Sequence, residues 1–461
     1  MNKNKDVRNT PSSNILIMKI KIRILLLSVL FVATGMSAQE TRKWTLEECI
    51  DYARENNLSI KQQELNTEFQ KNEVERKKLE RAPSLNGNVG YQLSFGRVPD
   101  ETTYEFRNRT TQFSRFSVGT SVPLFQGFSL KNEIRQSEAS WLASKNHLEA
   151  AKNDLALQIT SLYLEVLFNK ELFEVAREQY KVAREQVENT RKLVDAGRVA
   201  EGNLLEIKSQ ASREALNVTR MENNLSLSIL TLAQALDLKD PSSFDVEVPE
   251  ETGLQEQAVV PPPELYETAV EIMPRIEAYE LDLESERHAL DAAKGQLYPS
   301  LSLDAGWSTS VSKSKSTQEF DFASRFRNNA NEYVGVSLRI PIFNGLSARK
   351  NVKNQRLNIQ NAQSELQQEK QNLRKDIQQA WADADAALKK YESAQTAVES
   401  YERSLRYTEK KYAVGLVNPV DYSVARADYI KAQSDFLQAK YEYMLRTRIL
   451  EFYRGEPLTL E

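Results

Sequence analysis

The chain is poor in the residues that interrupt regular structure or carry chemistry. Its 461 residues hold only 15 glycines, 14 prolines, two histidines and one cysteine. The lone Cys49 excludes an internal disulfide framework and follows no lipobox. Within "LEECIDYA" it falls on an apolar helical face and reads as a small packing residue. His147 and His288 have no His or Cys at ligand spacing, so they read as solvated helix positions rather than metal ligands. There is no phosphate loop, nucleophile elbow or histidine pair, and the carboxylates sit among solvated helix charges. No enzyme, metal or cofactor is expected. With few breakers and 27% charged residues, the composition suits long solvated helices better than a sandwich or an α/β enzyme.

Long apolar runs are also scarce, with one exception. Lys19, Lys21 and Arg23 precede the run 24–36, and Ser37 and Ala38 follow it, which is the pattern of a secretory signal peptide over residues 1–38. The run is too short to span a bilayer, and no later stretch approaches 18 apolar residues, so no transmembrane helix is expected in the mature chain. Residues 1–38 contain six Lys/Arg and one Asp, so their removal takes the formal charge from −4 to −9. An acidic exported protein has no electrostatic reason to seek nucleic acid.

What the chain does have, it has twice. "VPLFQG" at 122–127 returns as "IPIFNG" at 340–345. "APSLNGNVGYQLS" from Ala82 aligns with "YPSLSLDAGWSTS" from Tyr298, and "VDAGRVAEGNLLEIK" from Val194 with "YAVGLVNPVDYSVAR" from Tyr412. Between Gly127 and Gly197 lie 69 residues without Gly or Pro, and between Gly345 and Gly415 another 69. The chain is an internal duplication.

Each of these stretches would be about 100 Å long as a helix. The second carries an apolar or small seam at Leu373, Ile377, Ala380, Ala384, Ala387, Tyr391, Ala394, Val398, Tyr401, Leu405, Thr408 and Tyr412, in steps of four and three. The first carries its own at Phe173, Ala176, Tyr180, Ala183, Val187, Thr190 and Val194. A returning helix is expected after each central glycine, over 203–236 and 420–454, the second introduced by Asn418 as N-cap and Pro419 at N1. Each half therefore holds an antiparallel helical hairpin with a glycine at its tip.

Before each hairpin the period changes to two. Leu85, Val89, Tyr91, Leu93 and Phe95 alternate with polar or glycine positions, as do Phe116, Val118, Val122 and Leu124. Leu301, Leu303, Ala305, Trp307 and Val311 repeat the pattern, as do Val334, Val336, Leu338, Ile340 and Ile342. Four strands of about ten to twelve residues follow, with long polar loops over 96–111 and 312–331. Alternation alone fits a soluble sandwich equally well. Export, and strand pairs separated by long helices, favour a membrane barrel instead. Four strands cannot close a barrel and open edges are not tolerated in lipid, so several chains must share one. Three chains give twelve strands, whereas two give eight, too few for an aqueous pore.

These duplicated phrases, the tip motifs and the opening "TLEECIDYARENN" resemble the TolC-like family of trimeric outer-membrane efflux and secretion channels, over nearly the whole mature chain. The resemblance implies an α+β membrane protein of the outer membrane. Each chain of a homotrimer would give four strands to a 12-stranded transmembrane β-barrel and long antiparallel helical hairpins to a periplasmic tunnel. The strand-to-helix junctions then fall at Pro123 and Gly127 and at Pro341 and Gly345. The family docks a periplasmic adaptor at its hairpin tips, here Ala196, Gly197 and Arg198 with Val414, Gly415 and Leu416. Its constriction uses a tyrosine, matched by Tyr412, and acidic residues, one matched by Asp421. The arginine and second acidic positions are Val417 and Val424, a departure, while Glu206 is the acid of the first half. Asp421 is equally an ordinary first-turn acid favoured by the helix dipole.

The expected organisation is a signal peptide 1–38, N-terminal helices 39–81, a transmembrane β-hairpin 82–127, a helical hairpin 128–236, a connector forming part of a belt 237–262, helices 263–297, a second β-hairpin 298–345, a second helical hairpin 346–455 and a tail 456–461. The expected function is the outer-membrane exit channel of a tripartite efflux system, passive, working with an adaptor and an inner-membrane transporter. The alternatives are the channel of a type I protein secretion system and, in another class, a periplasmic coiled-coil adaptor or scaffold.

Overall fold

The computed structural model describes residues 43–99, 105–241, 244–249, 261–314 and 320–460. The signal peptide and much of the connector lie outside them. The elements run β1 (Lys43–Trp44), α1 (Leu46–Asn56), α2 (Leu58–Leu79), β2 (Ser84–Pro99), β3 (Phe106–Gln126), α3 (Ser129–Asp195), α4 (Glu201–Ala235), β4 (Asp245–Val246), α5 (Pro262–Ile272), α6 (Pro274–Gly295), β5 (Ser300–Ser314), α7 (Phe322–Asn328), β6 (Asn331–Arg339), α8 (Ser347–Ala413) and α9 (Pro419–Arg454). α3 and α8 are 67 residues each, α2 and α6 are 22 each, and α1 and α5 are 11 each.

Periodicity decides which faces pack. The seam residues Ala176, Ala183 and Thr190 of α3 and Leu373, Ile377, Ala380, Ala384 and Ala387 of α8 are buried. The alanines and Thr190 among them are small enough to let helices approach closely, and α4 packs on α3 and α9 on α8. Towards the tip of α8 the seam opens, and Tyr401 is 43% exposed.

The two halves share one core plan. In the first, Cys49, Ala53, Ile60, Leu155 and Ile159 are buried together. In the second, Leu265, Ala269, Ile276, Leu373 and Ile377 take the corresponding places. Cys49 thus fills a leucine's position, and burial in this apolar cluster pushes its thiol up to about 12. The first core is larger because it also takes in Leu232 and Leu236 at the end of α4, Tyr441 and Met444 of α9, and Val246 of β4, which pairs in parallel with β1. Tyr163 Oη lies 3.0 Å from the Trp44 carbonyl and 2.7 Å from that of Glu247, pinning this short pair to the helix.

All four long strands form one antiparallel sheet in the order β2-β3-β5-β6. Directly opposed residues share a face. The rows Leu85–Thr120–Ala305–Val334 and Gly87–Val118–Trp307–Glu332 therefore lie on the apolar side, and the rows carrying Ser117, Ser121, Asp304 and Ser337 on the polar side. Leu85, Val89, Tyr91, Phe95, Val334, Val336 and Leu338 are all more than half exposed on that apolar side. Among the described residues, the two edge strands, β2 and β6, have no partner on their outer sides.

Several expectations are corrected. Within the expected 96–111 loop, residues 96–99 and 106–111 are strand, because the β2–β3 ladder continues to Pro99 opposite Phe106. Ladder hydrogen bonds are made by backbone and need no apolar side chains. β6 stops at Arg339, so Ile340 and Ile342 lie beyond the strand. The 312–331 segment contains α7, opened by Asp321, whose Oδ1 accepts from the Ala323 N–H at 3.0 Å. His147 is not simply solvated, since its Nε2 lies 3.0 Å from Asp282 Oδ2 on the neighbouring α6.

Candidate functional site

Two places in each half change the direction of the chain, and both depend on left-handed backbone. At the membrane corners Gly127 (φ 61°) and Phe128 (φ 65°) precede α3, and Gly345 (φ 63°) and Leu346 (φ 65°) precede α8. Two consecutive left-handed residues reverse the chain from strand into helix, and glycine occupies the first because it bears no Cβ. The prolines behave differently from one another. Pro123 lies inside β3, where the ladder shifts register between Pro123 and Phe125, and β3 continues to Gln126. Pro341 lies past the end of β6. Proline supplies no N–H, so it is accommodated at a bulge or outside the ladder.

The tips use a different device. The Arg198 N–H bonds the Leu193 carbonyl and the Gly197 N–H that of Val194, both at 2.8 Å, with Gly197 at φ 65°. The Leu416 N–H bonds the Lys411 carbonyl at 2.9 Å and the Gly415 N–H that of Tyr412 at 3.0 Å, with Gly415 at φ 75°. These are Schellman stops, which satisfy the last helical carbonyls and swing the chain back. Ala196 and Val414 are the helix C-caps. Ala196, Arg198, Val414 and Leu416 are exposed, the last two at 70% and 76%.

The returning helices begin unequally. Asn418 Oδ1 accepts from the Asp421 N–H at 2.9 Å, whereas Ala200 offers α4 no side-chain cap. Asp421 is exposed in the first turn of α9, with its backbone held by this cap. Tyr412 stacks on Tyr422 at 4.9 Å between centroids and 14° between planes. Glu206 is half-buried on α4 of the other hairpin, and among the described residues no hydrogen bond joins it to Tyr412 or Asp421. Val417 is half-buried, while Val420 and Val424 are exposed along one side of α9.

The other side of α9 holds residues the sequence reading missed. Tyr422 and Arg426 are 4% and 3% exposed. Arg426 Nη2 donates to the Gln179 carbonyl at 2.7 Å and to Gln179 Oε1 at 3.0 Å, and Nε reaches the same Oε1 at 3.3 Å. Burial holds the Tyr422 phenol above its ordinary range, partly offset by the Arg426 guanidinium beside it. Nearer the middle of the helices, Glu171 Oε1 accepts from Lys440 Nζ at 2.9 Å and from the Tyr441 hydroxyl at 2.7 Å. Among the described residues, Arg426–Gln179 is the hydrogen bond between the two hairpins closest to their tips. The signal for it was present, since Tyr422 and Arg426 are four apart on the face opposite Val420 and Val424.

A sheet apolar on one side and open at both edges, set on two long helical hairpins through left-handed corners, defines an outer-membrane channel-tunnel. The outer membrane efflux protein family model matches residues 49–237 and 265–455, and the chain belongs to that family. This is a family of channel proteins rather than enzymes. The chain is accordingly an outer-membrane protein with a periplasmic extension, and three chains of four strands make its twelve-stranded barrel. The fold is similar to the Campylobacter jejuni CmeC outer membrane channel, at 19% identity over 90% of this chain and 86% of that one, with a TM-score of 0.74. It is similar to the open state of the Neisseria gonorrhoeae MtrE outer membrane channel, at 17% identity over 90% of each chain and a TM-score of 0.73. It is also similar to the outer membrane protein VceC of Vibrio cholerae, at 15% identity over 90% and 96% of the two chains and a TM-score of 0.70. No curated protein matches the sequence.

Proposed function

We propose that this chain is the exit channel of a tripartite efflux system, passively conducting small molecules that an inner-membrane transporter and a periplasmic adaptor deliver to it. The reading rests above all on one observation: a membrane-suited sheet and two long helical hairpins are built into the same chain. The apolar side of the sheet meets lipid and the polar side lines water. The helices carry the conduit away from the membrane for about 100 Å.

The tips are where the conduit meets its partner. Ala196, Gly197, Arg198, Val414, Gly415 and Leu416 form two exposed turns, and large apolar side chains on the second suit burial against an adaptor. Tyr412, Asp421 and Glu206 are the constriction residues of this reading. Copies of Asp421 gathered near a threefold axis repel one another and attract cations. Opening the tip requires the second hairpin to move away from the first, which breaks the bonds from Arg426 to Gln179. A buried guanidinium that loses such partners is costly to strand, so these bonds favour the closed position.

Export from cells tests the reading. A strain lacking the chain accumulates a fluorescent efflux substrate and regains export on complementation. Leu416→Asp is expected to reach the outer membrane as a trimer and fail to restore export. Full export by Leu416→Asp contradicts docking at this tip.

A further inference from the structure

The outer end of the sheet carries positive charge on the side that faces lipid rather than the conduit. On β5 the apolar side runs from Leu301 through Trp307 to Val311, and the next residue on that side is Lys313. Ten residues of about 3.3 Å each, tilted by about 40°, rise about 25 Å, the height of the lipid-facing band of an outer-membrane barrel. The corners at Gly127 and Gly345 mark the periplasmic end of that band. Lys313 therefore stands at its outer boundary, at the level of the lipid headgroups.

α7 lies on the same side of the sheet. Phe322 and Phe326, four apart, pack on Phe116 at 6.3 and 5.3 Å between ring centroids, and Phe326 also meets Trp307 at 5.7 Å. Thr309 is 2% exposed beneath the helix and donates its hydroxyl proton to the Phe326 carbonyl, so this hydroxyl is hidden from lipid. The helix is thus an amphipathic segment laid on the wall, and its remaining long side chains are the basic Arg325 and Arg327.

The cations gather without counter-charge. Lys313 Nζ lies 4.9 Å from the centroid of the Phe320 ring, and Arg325 Cζ lies 5.7 Å from the same centroid. One ring is shared by two positive charges. Arg325 Nη1 donates to the Ser312 carbonyl at 2.7 Å, and Arg327 Nε reaches only the Ala323 carbonyl of its own helix at 3.4 Å. Among the described residues, none of the three forms an ion pair. The nearby acids are placed elsewhere: Asp321 caps α7, and Glu332 opposes Trp307, six residues along β5 from Lys313. At the headgroup level of a bilayer the anions at hand are lipid phosphates.

We propose that Lys313, Arg325 and Arg327 hold the phosphate groups of a phosphorylated glycolipid of the outer leaflet, whose acyl chains lie along the apolar side beside α7. Arginine forks onto phosphate oxygens and lysine meets them as a point charge. Phe322, 46% exposed, and Leu93, 45% exposed on the row of Lys313, offer the chains an apolar bed. The first half has no such device, because β2 and β3 continue as a ladder where β5 gives way to α7. Each trimer carries three of these sites.

Thermal unfolding of the purified trimer in detergent reads the binding, since a ligand held by the folded state alone raises the midpoint. Bisphosphorylated lipid A is expected to raise it in the unsubstituted protein and equally in Arg115→Gln, which removes a cation from the polar side opposite Ser310. Lys313→Gln with Arg327→Gln is expected to need at least fivefold more lipid for the same rise. Arg325 is kept in this variant because its bond to Ser312 also holds α7. Lys313→Gln alone is expected to show a smaller loss in the same direction, and it reads the site if the double variant does not assemble. Lipid A stripped of its phosphates, phosphatidylglycerol and inorganic phosphate are expected to give little or no rise. An equal rise with any of these three overturns the assignment to a phosphorylated glycolipid. No rise with lipid A, or substituted proteins that respond like Arg115→Gln, overturns the site. Export plays no part in the readout, so the exit-channel reading and this site stand or fall separately.

Discussion

The first strand pair and the second descend from one pattern yet finish differently. The β2–β3 ladder runs out to Pro99 and Phe106, whereas the β5–β6 ladder stops at Ser308 opposite Asn331. Where β6 ends, α7 takes over beside β5. Asn329 Nδ2 donates to the Ser310 carbonyl at 2.6 Å, Arg325 Nη1 to the Ser312 carbonyl at 2.7 Å, and Thr309 Oγ1 to the Phe326 carbonyl at 2.6 Å. Phe326 packs against Phe116 and Trp307, so the helix also covers part of the apolar side. Both halves satisfy strand carbonyls there, one with another strand and the other with side chains of a seven-residue helix and its C-cap, Arg325 and Asn329. Sequence repeats preserve the bonding requirement rather than the element that meets it.

The corners offer the sharpest way to break the likeness of the halves. Gly127 is crowded by Gly295 and Tyr298, while a Cβ on Gly345 meets nothing within 4 Å among the described residues. Gly127→Ala is expected to cost roughly 2–5 kcal/mol, from the left-handed backbone together with the clash, and to lower the yield of assembled trimer severely. Gly345→Ala is expected to cost only about 1–2 kcal/mol. Thermal unfolding in detergent orders the two. Equal losses would mean that the corners are equivalent after all.

The tie between the halves comes next. Arg426→Ala is expected to raise single-channel conductance several-fold by freeing the second hairpin from Gln179. Arg406→Ala removes only an exposed pair with Glu402 and is expected to leave conductance unchanged. Conductance unaltered in Arg426→Ala would show that the tip is held by something else.

At the tips the halves differ by one cap. Asn418→Ala is expected to destabilise the start of α9 by about 1 kcal/mol, and Ala200→Asn to stabilise the start of α4 by a similar amount. Hydrogen exchange in the first turns of the two helices reads opposite changes if the caps account for the difference. The smallest effect concerns ions. Asp421→Ala is expected to weaken block of the current by divalent cations, and Glu206→Ala to change it less. Undiminished block in Asp421→Ala would leave Asp421 as a helix-dipole acid.

Much of this architecture was legible because it is periodic. A seam in steps of four and three fixes which side of a helix is buried, and alternation fixes which side of a strand is apolar. The spans of α3 and α8 follow from the stretches without Gly or Pro, and Asn418–Pro419 marks the start of α9. Periodicity names a face and not its partner. The meeting of Arg426 with Gln179 spans 247 residues and that of His147 with Asp282 spans 135, and no local pattern encodes either. The outer part of β2–β3 escaped for a different reason. Its residues carry no apolar face, and backbone bonds hold the ladder without one. α7 is one short helix between polar segments, visible only through Asp321 and the aromatic pair Phe322 and Phe326.

The central claim is that three copies of this chain make one passive pore. Protein extracted from outer membranes in detergent, sized by light scattering and then inserted into planar lipid bilayers, tests it most directly. The account predicts a particle of three chains that gives discrete, long-lived current steps. A water-soluble single chain that carries no current would contradict it.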